Sequence, residues 1–183
     1  MEYLTDKDLL DVFHGWMEFD SNDLNKTIFE IKRGHPKQFW QFWREIKARK
    51  IEYKKPNQLF IGIVGTRRRN RADDYLLTHD TFVKASALEV ENGKTDVVIV
   101  SGLCTKGGDK FAVTLYKKYK TKKLWFPAQW NVLGLDAGFI RNTDIALASD
   151  ILIAVRSYDC TGGTEDTISK FIKFGKEDQL ILI

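Results

Sequence analysis

The chain has 183 residues, 43% of them hydrophobic and 30% charged, which is typical of a soluble protein with one ordinary domain and an extension. No apolar run approaches the roughly 18 residues that span a membrane, and segment 1–20 lacks the apolar core of a signal peptide. The net charge of +4 is too small to indicate nucleic-acid binding by itself.

Residues 1–57 predict a helical extension. Hydrophobic residues such as Leu9, Phe13 and Met17 recur at three- and four-residue steps, as on one face of a helix. A later helix that opens at Pro36 carries several large aromatic side chains. We expect these to pack against the main domain or a second subunit rather than to stack on bases. A second subunit would make the protein a homodimer or a higher homo-oligomer.

Charge is divided unevenly within this extension. Residues 1–30 hold eight acidic and two basic side chains, whereas residues 31–55 hold nine basic and two acidic ones. We interpret the division as a helical hairpin that neutralises itself, with a partner-binding face as the alternative.

From residue 58 onward, strand patterns alternate with helix patterns. The predicted strands are 59–64, 96–101, 123–127, 151–155 and 179–183. Helical patterns lie near 74–91, 109–120, 138–148 and 164–174. This alternation implies right-handed crossovers, and the unbroken apolar strands indicate a sheet covered on both faces. We predict an α/β domain at 58–183, with three layers around a parallel sheet of about five strands.

Three glycine-bearing turns follow predicted strands. They are Val64-Gly65-Thr66-Arg67, Ser101-Gly102 with Gly107-Gly108-Asp109, and Thr161-Gly162-Gly163-Thr164. Ligands bind outside the carboxyl ends of the strands in such a sheet, so the turns describe one site. Glycine lets backbone amides approach an anion, and the helix after the third turn, with Thr164 as its predicted N-cap, presents a partial positive charge. We predict a phosphate site; for the third turn, a plain strand-to-helix connection is the alternative.

Two arginines strengthen the phosphate prediction. Arg67 directly follows the first strand, and Arg141 lies near the start of a later helix, where a guanidinium can bind phosphate through two hydrogen bonds. The run from Arg67 to Arg71 would ordinarily be a solvated face, and we select Arg67 because it is nearest the strand end. The dinucleotide fingerprint and the P-loop lysine are both absent, which argues against a nicotinamide dehydrogenase or an ordinary NTPase.

Cysteine and histidine are sparse. Cys104 and Cys160 give no disulfide framework, so we expect a cytoplasmic protein without membrane association. The three His and two Cys residues show no spacing of a metal site, and we predict neither a metal nor a cofactor.

The motifs occur in an order that resembles a known family. Besides the three turns, they are Phe126-Pro127-Ala128-Gln129-Trp130, Ala137-Gly138 and Arg141-Asn142. This order resembles the SLOG superfamily of Rossmann-like domains, most of all its uncharacterised bacterial and phage branch. The superfamily also includes the DNA-processing protein A and the lonely-guy phosphoribohydrolases. The resemblance covers residues 58–183 and implies a Rossmann-like fold that binds nucleotides.

The resemblance also implies roles for individual residues. Those implied to bind nucleotide are Gly65, Thr66, Arg67, Ser101, Gly102, Gly107, Gly108, Asp109, Arg141, Asn142, Gly162, Gly163 and Thr164. Arg141 lies where the lonely-guy enzymes have their catalytic arginine, whereas Thr167 stands in the place of their catalytic glutamate. Glu165 and Asp166 are the adjacent carboxylates that could act as acid and base.

One aromatic residue and one carboxylate have two interpretations each. Trp130 follows the third strand and is predicted to stack on a base, with closure of the core as the alternative; Tyr158 is a second candidate. For Asp109, capping of its helix is favoured over contact with the ligand.

We predict a protein that recognises a nucleoside phosphate or another nucleotide-derived small molecule. One alternative is an N-glycoside hydrolase of nucleoside monophosphates, with Arg141, Asp166 and Glu165 as its catalytic residues. The other is a single-stranded DNA-binding protein that uses segment 31–55 and the run from Arg67 to Arg71. The modest net charge argues against that second alternative.

Overall fold

A computed structural model describes residues 4–183. The helices are α1 (Asp6–Met17), α2 (Ile28–Arg33), α3 (Phe39–Arg49), α4 (Ala72–Glu91), α5 (Gly108–Tyr119), α6 (Trp130–Leu133), α7 (Ala137–Ala148) and α8 (Gly163–Lys173). The strands are β1 (Gln58–Gly65), β2 (Asp96–Ser101), β3 (Lys122–Trp125), β4 (Ile151–Val155) and β5 (Leu180–Leu182). Within these residues, no helix combines the length and apolar character that crossing a membrane requires.

The five strands form one parallel sheet in the order β3-β2-β1-β4-β5. Ile61 in β1 lies opposite Ile99 of β2 on one side and Ile151 of β4 on the other. β2 and β3 therefore lie on one side of β1, and β4 and β5, which follow later in the chain, lie on the other side. The predicted α/β fold with a Rossmann-like, three-layer arrangement is confirmed, and its point of reversal lies between β1 and β4.

Alternate residues of each strand face opposite layers. Phe60 and Val98 face a layer that contains α1, α3, α7 and α8, whereas Ile61 and Ile99 face α4 and α5. Both faces of the sheet are buried, which explains why the strands appear in the sequence as unbroken apolar runs.

β3 is shorter than the apolar run that predicted it. The run covers 123–127, but the strand ends at Trp125. Phe126 still donates its N–H to the carbonyl oxygen of Ser101 at 2.9 Å. Pro127 has no N–H with which to continue the ladder, so the strand ends.

The N-terminal segment completes one layer of the fold. On that face α7 and α8 contact β1, whereas α1 contacts β3 and α3 packs on Phe126 directly after β3. The ring centroid of the buried Trp43 lies 5.1 Å from that of Phe126, and Trp43 Nε1 donates to Asp144 Oδ1 of α7 at 2.9 Å. The aromatic helix thus packs against the main domain; the homodimer stays a prediction.

The charges of this segment attach it to the sheet more than they neutralise each other. Arg49 and Asp6 form the one ion pair between the acidic and basic parts of described residues 4–55, at 3.1 Å. The other cross-connections run to the main domain. They are Glu18–Lys122, Asp23–Lys123, Lys47–Asp144 and Lys54–Asp150. The predicted self-neutralising hairpin is therefore present only in part.

His35 joins this segment to β3 and makes the fold sensitive to acid. Its Nε2–H donates to the Trp125 carbonyl oxygen at 3.1 Å, and burial lowers the pKa of His35 from 6.5 to about 4. Between these pH values the unfolded chain binds more protons at His35 than the folded chain does. We expect acidification across this range to lower the free energy of unfolding by roughly 2–3 kcal/mol through His35.

Urea unfolding between about pH 7 and about pH 4 measures this effect. His35→Gln keeps a donor for the Trp125 carbonyl and removes the titration, so its stability should fall less with acid than that of the wild type. Gln41→Ala, at an exposed position of α3 without a titratable group, is the control and should keep the wild-type slope. Parallel pH profiles for wild type and His35→Gln would contradict the prediction.

Candidate functional site

A cleft of about 290 Å³ lies at the carboxyl ends of β1 and β4. The end of β1 and the turn after it (Gly65 to Arg68) form one wall, and the start of α8 with the turn before it (Thr161 to Thr164) forms the other. Asp109 of α5 and Arg141 of α7 lie between them. This strand-end cleft occupies the point where the strand order reverses, the position at which open α/β sheets bind ligands.

The amino end of α8 is open toward the strand-end cleft. Gly162 is the N-cap, with φ 99° and ψ −164°, a conformation that is essentially restricted to glycine. No side chain caps the helix, and the N–H groups of Gly163, Thr164 and Glu165 have no partner among residues 4–183. These free donors and the helix dipole present positive charge to the cleft.

The prediction that Thr164 is the N-cap of this helix is wrong. Because Gly162 turns the chain into the helix, α8 begins at Gly163, and Thr164 is its buried second residue. Thr167, one turn further along, also lines the cleft, and its hydroxyl donates to the Gly163 carbonyl oxygen at 3.0 Å.

Two arginines of the basic run have structural roles. Arg69 donates through Nε to Asp74 Oδ1 at 2.8 Å and through Nη1 to the Ile183 carbonyl oxygen at 2.6 Å. Arg71 is the N-cap of α4, and its backbone N–H donates to Asp74 Oδ2 at 3.1 Å. Neither side chain lines the strand-end cleft.

The other two arginines of the run lie at the cleft. Arg68 forms a two-bond ion pair with Asp159 (2.5 and 2.9 Å) and donates to Thr161 Oγ1 at 3.0 Å. The hydrogen bonds from Arg68 hold the pKa of Asp159 well below its usual range. They also connect the two walls of the cleft. Arg67 makes no hydrogen bond or ion pair with the described part of the chain. Its guanidinium is therefore available to a ligand.

Arg141 is positioned by its neighbours. Its Nη1 lies 3.8 Å from Asp109 Oδ2, and its Nε and Nη2 donate to Asn142 Oδ1 at 3.3 and 3.1 Å. Burial raises the pKa of Asp109, and the nearby Arg141 guanidinium opposes that rise. Asn142 is buried outside the cleft lining and donates to the Gly163 carbonyl oxygen, which ties α7 to α8.

The second glycine turn, with Gly107 and Gly108, packs against the end of β1 outside the cleft. A Cβ on Gly107 would lie 2.2 Å from the Thr66 carbonyl oxygen, and one on Gly108 would lie 2.3 Å from the Val64 carbonyl carbon. These glycines therefore let α5 pack directly on β1, and neither lines the cleft. Ser101 is also buried, and its hydroxyl donates to the Ile63 carbonyl oxygen at 2.7 Å.

Asp109 does not cap α5 as favoured from the sequence. Its Oδ2 accepts the N–H of Cys104, at 2.9 Å, in the loop before the helix. The N-cap of α5 is Gly107, without a side-chain hydrogen bond. Asp109 thus holds the loop and faces Arg141.

The two predicted acid–base carboxylates are engaged elsewhere. Glu165 accepts two hydrogen bonds from Arg156, both at 2.8 Å. Asp166 accepts from Asn142 Nδ2 at 3.0 Å and from Lys170 Nζ at 2.7 Å. Neither lines the strand-end cleft, in which Asp109 is the single carboxylate contributed by the described residues.

A side groove of about 640 Å³ adjoins the cleft and shares Arg67, Cys104 and Arg141 with it. Its other walls are the loop Gly102 to Lys106, Trp130 of α6, and Phe29, Lys32 and Arg33 of α2. A Cβ on Gly102 would lie 2.8 Å from Arg141 Nη1, so a side chain there would displace the Arg141 guanidinium. The sequence analysis did not predict that α2 contributes to the groove. The available signal was an aromatic residue, Phe29, close to the pair Lys32-Arg33.

The candidate aromatic residues differ in position. Trp130 is 48% exposed and lies over Gly138, where a Cβ would be 3.2 Å from the indole ring. It therefore lines the side groove instead of closing the core. Tyr158 is 94% exposed, lies beside the Arg69 guanidinium and lines neither cavity.

Another cavity, of about 390 Å³, separates the N-terminal segment from β3. Its charges neutralise each other, because Asp23 pairs with Lys26 at 3.1 Å and with Lys123 at 2.9 Å. The strand-end cleft, in which Arg67 has no carboxylate partner among the described residues, is the better ligand site.

Comparison of the chain with protein-family models, curated proteins and solved structures gives no match.

Adjacent glycines in the third turn should respond differently to alanine. Gly162 has open space for a Cβ but a backbone conformation that alanine disfavours, so Gly162→Ala should lower the free energy of unfolding by about 1–3 kcal/mol. Gly163 is helical, and its Cβ would meet Asn142 Nδ2 at an ordinary 3.6 Å. We expect Gly163→Ala to change stability by less than about 1 kcal/mol. Urea unfolding measures both, and equal effects would refute the assignment of strain to Gly162.

Proposed function

We propose that the protein binds a nucleoside phosphate, or another nucleotide-derived small molecule, in the strand-end cleft as a domain of SLOG type. One observation carries the proposal: the uncapped amino end of α8 and the side chains of Arg67 and Arg141 line the same cleft. A phosphate there would accept backbone N–H groups from one side and guanidinium groups from the other.

Trp130 provides a surface for the base. Its indole is half exposed in the side groove, which opens from the cleft at Arg67 and Arg141. Stacking of a base on an aromatic side chain contributes roughly 1–3 kcal/mol. A ligand with its phosphate in the cleft can therefore place its base against Trp130.

The chemistry of the cleft favours binding without hydrolysis. Cleavage of an N-glycosidic bond needs a carboxylate that protonates the leaving base or activates water. Glu165 and Asp166 accept hydrogen bonds from cationic side chains outside the cleft, and Asp109 faces Arg141. Thr167, which lines the cleft, has no acid–base function near neutral pH.

Removal of the unpaired guanidinium should weaken nucleotide binding. We expect Arg67→Ala to lower the affinity for nucleoside 5′-monophosphates by roughly 10- to 100-fold, because it removes charge-assisted hydrogen bonds to phosphate. Isothermal titration calorimetry with the four ribonucleoside monophosphates measures this loss. Arg44→Ala is the matched control, since Arg44 is an exposed arginine of α3 with no hydrogen bond or ion pair in the described chain. Equal binding by wild type and Arg67→Ala would sink the proposal.

The binding hypothesis also predicts the fate of the ligand. Incubation with each nucleoside monophosphate should release no free base above a blank without protein, as followed by reversed-phase chromatography. The variants Glu165→Gln and Asp166→Asn should bind nucleotide as the wild type does. Base release that disappears in either variant would instead establish the hydrolase alternative.

A further inference from the structure

The side groove is more positively charged than binding of one phosphate requires. Its lining contains five cationic side chains, and the described residues contribute no acidic side chain to it. The cationic residues are Lys32, Arg33, Arg67, Lys106 and Arg141. Two of them, Arg67 and Arg141, belong equally to the strand-end cleft. The remaining three form a second positive cluster, beyond the first phosphate position.

This second cluster has no internal partner for its charge. Within residues 4–183, the side chains of Lys32, Arg33 and Lys106 form no ion pair and donate no hydrogen bond. The Arg33 guanidinium lies over the Phe29 ring, 5.4 Å from its centroid. Grouped cations without counter-charges raise the local concentration of anions.

Two aromatic side chains face the same groove. Phe29 is 61% exposed and Trp130 is 48% exposed. They come from distant parts of the chain, α2 and α6, so their presence in one groove results from the fold. Two exposed aromatic rings beside cationic groups form the kind of surface on which two bases stack.

α2 is a fixed wall of this groove. Ile31 is buried in the core layer of α4 and α5, and Thr27 with Glu30 forms a capping box at the start of the helix. His35, just after the helix, is hydrogen-bonded to the Trp125 carbonyl oxygen. The backbone that carries Lys32 and Arg33 is therefore held in place beside the groove before any ligand binds.

We propose that the ligand extends from the strand-end cleft into the side groove and is a linear dinucleotide with two phosphate groups and two bases. Its first phosphate lies at α8, Arg67 and Arg141, and its second lies at Lys32 and Arg33. This inference rests on the proposed function, because it assumes that the cleft holds the first phosphate. The groove has a volume of about 640 Å³ and the cleft one of about 290 Å³, so more space lies beyond the first phosphate position than at it.

Calorimetric titration with adenosine 5′-monophosphate and with the 5′-phosphorylated dinucleotide pApA tests the proposal. We expect the wild type to bind pApA roughly 10- to 100-fold more tightly than the monophosphate, through a second charge-assisted phosphate contact. Lys32→Ala/Arg33→Ala should lose most of that difference and bind the monophosphate within about twofold of the wild type. Lys37→Ala/Arg44→Ala removes one lysine and one arginine from exposed positions of the same segment and should behave as the wild type.

The outcomes separate the two hypotheses. If the monophosphate binds in an Arg67-dependent way and pApA binds no more tightly, the dinucleotide inference fails and the proposed function stands. An equal loss of both ligands in Lys32→Ala/Arg33→Ala also overturns the inference. If neither ligand binds, the proposed function fails and the inference fails with it. A twelve-nucleotide single strand that binds far more tightly than pApA would identify the ligand as nucleic acid and overturn the dinucleotide class.

Discussion

The site depends on the close approach of α5 to the end of β1. Gly108 lies against the Val64 carbonyl, where no Cβ would fit, and this contact fixes the start of α5 beneath the end of the strand. Asp109 follows directly and is buried. Its carboxylate accepts a hydrogen bond from the Cys104 N–H and faces Arg141. A buried carboxylate is costly unless a cation and a hydrogen-bond donor compensate it. One backbone contact thus determines the loop, the carboxylate and the guanidinium at the cleft.

A second constraint is the coverage of the sheet. The crossover from β3 to β4 places α7 over β1 and β2, and the crossover from β4 to β5 places α8 over β1 and β4. The N-terminal segment packs over β3 on the same face. Once α1 and α3 are anchored there, the chain between them passes around the β3 edge to the opposite face of the sheet, where Ile31 joins the other core layer. Covering an apolar sheet face thereby also positions α2 beside the side groove. The same segment serves the core and the candidate ligand site.

The fold and the location of the site could be predicted because both follow from local signals. Apolar runs mark strands that are buried on both faces, and a glycine directly after a strand marks a turn at its carboxyl end. The separate roles of Arg67, Arg68 and Arg69 could not be assigned, because they depend on partners such as Asp159 and Ile183, about 90 residues or more away in the chain. Thr164 was wrongly predicted as the N-cap of α8 because two glycines precede it. Residue type alone does not show which of them turns the chain into the helix. The sequence predicts helix around Ile28 and Ile31, but the place of α2 beside the groove depends on tertiary packing.

The packing of Trp43 against Phe126 and Asp144 also limits where the chain can be divided. A module that can be gained or lost independently leaves a polar surface behind when it is removed, and this segment would leave bare an aromatic and aliphatic sheet face. Residues 4–57 and the sheet therefore share one hydrophobic core. Division of the chain near Pro56 would expose that apolar face, a surface that favours aggregation.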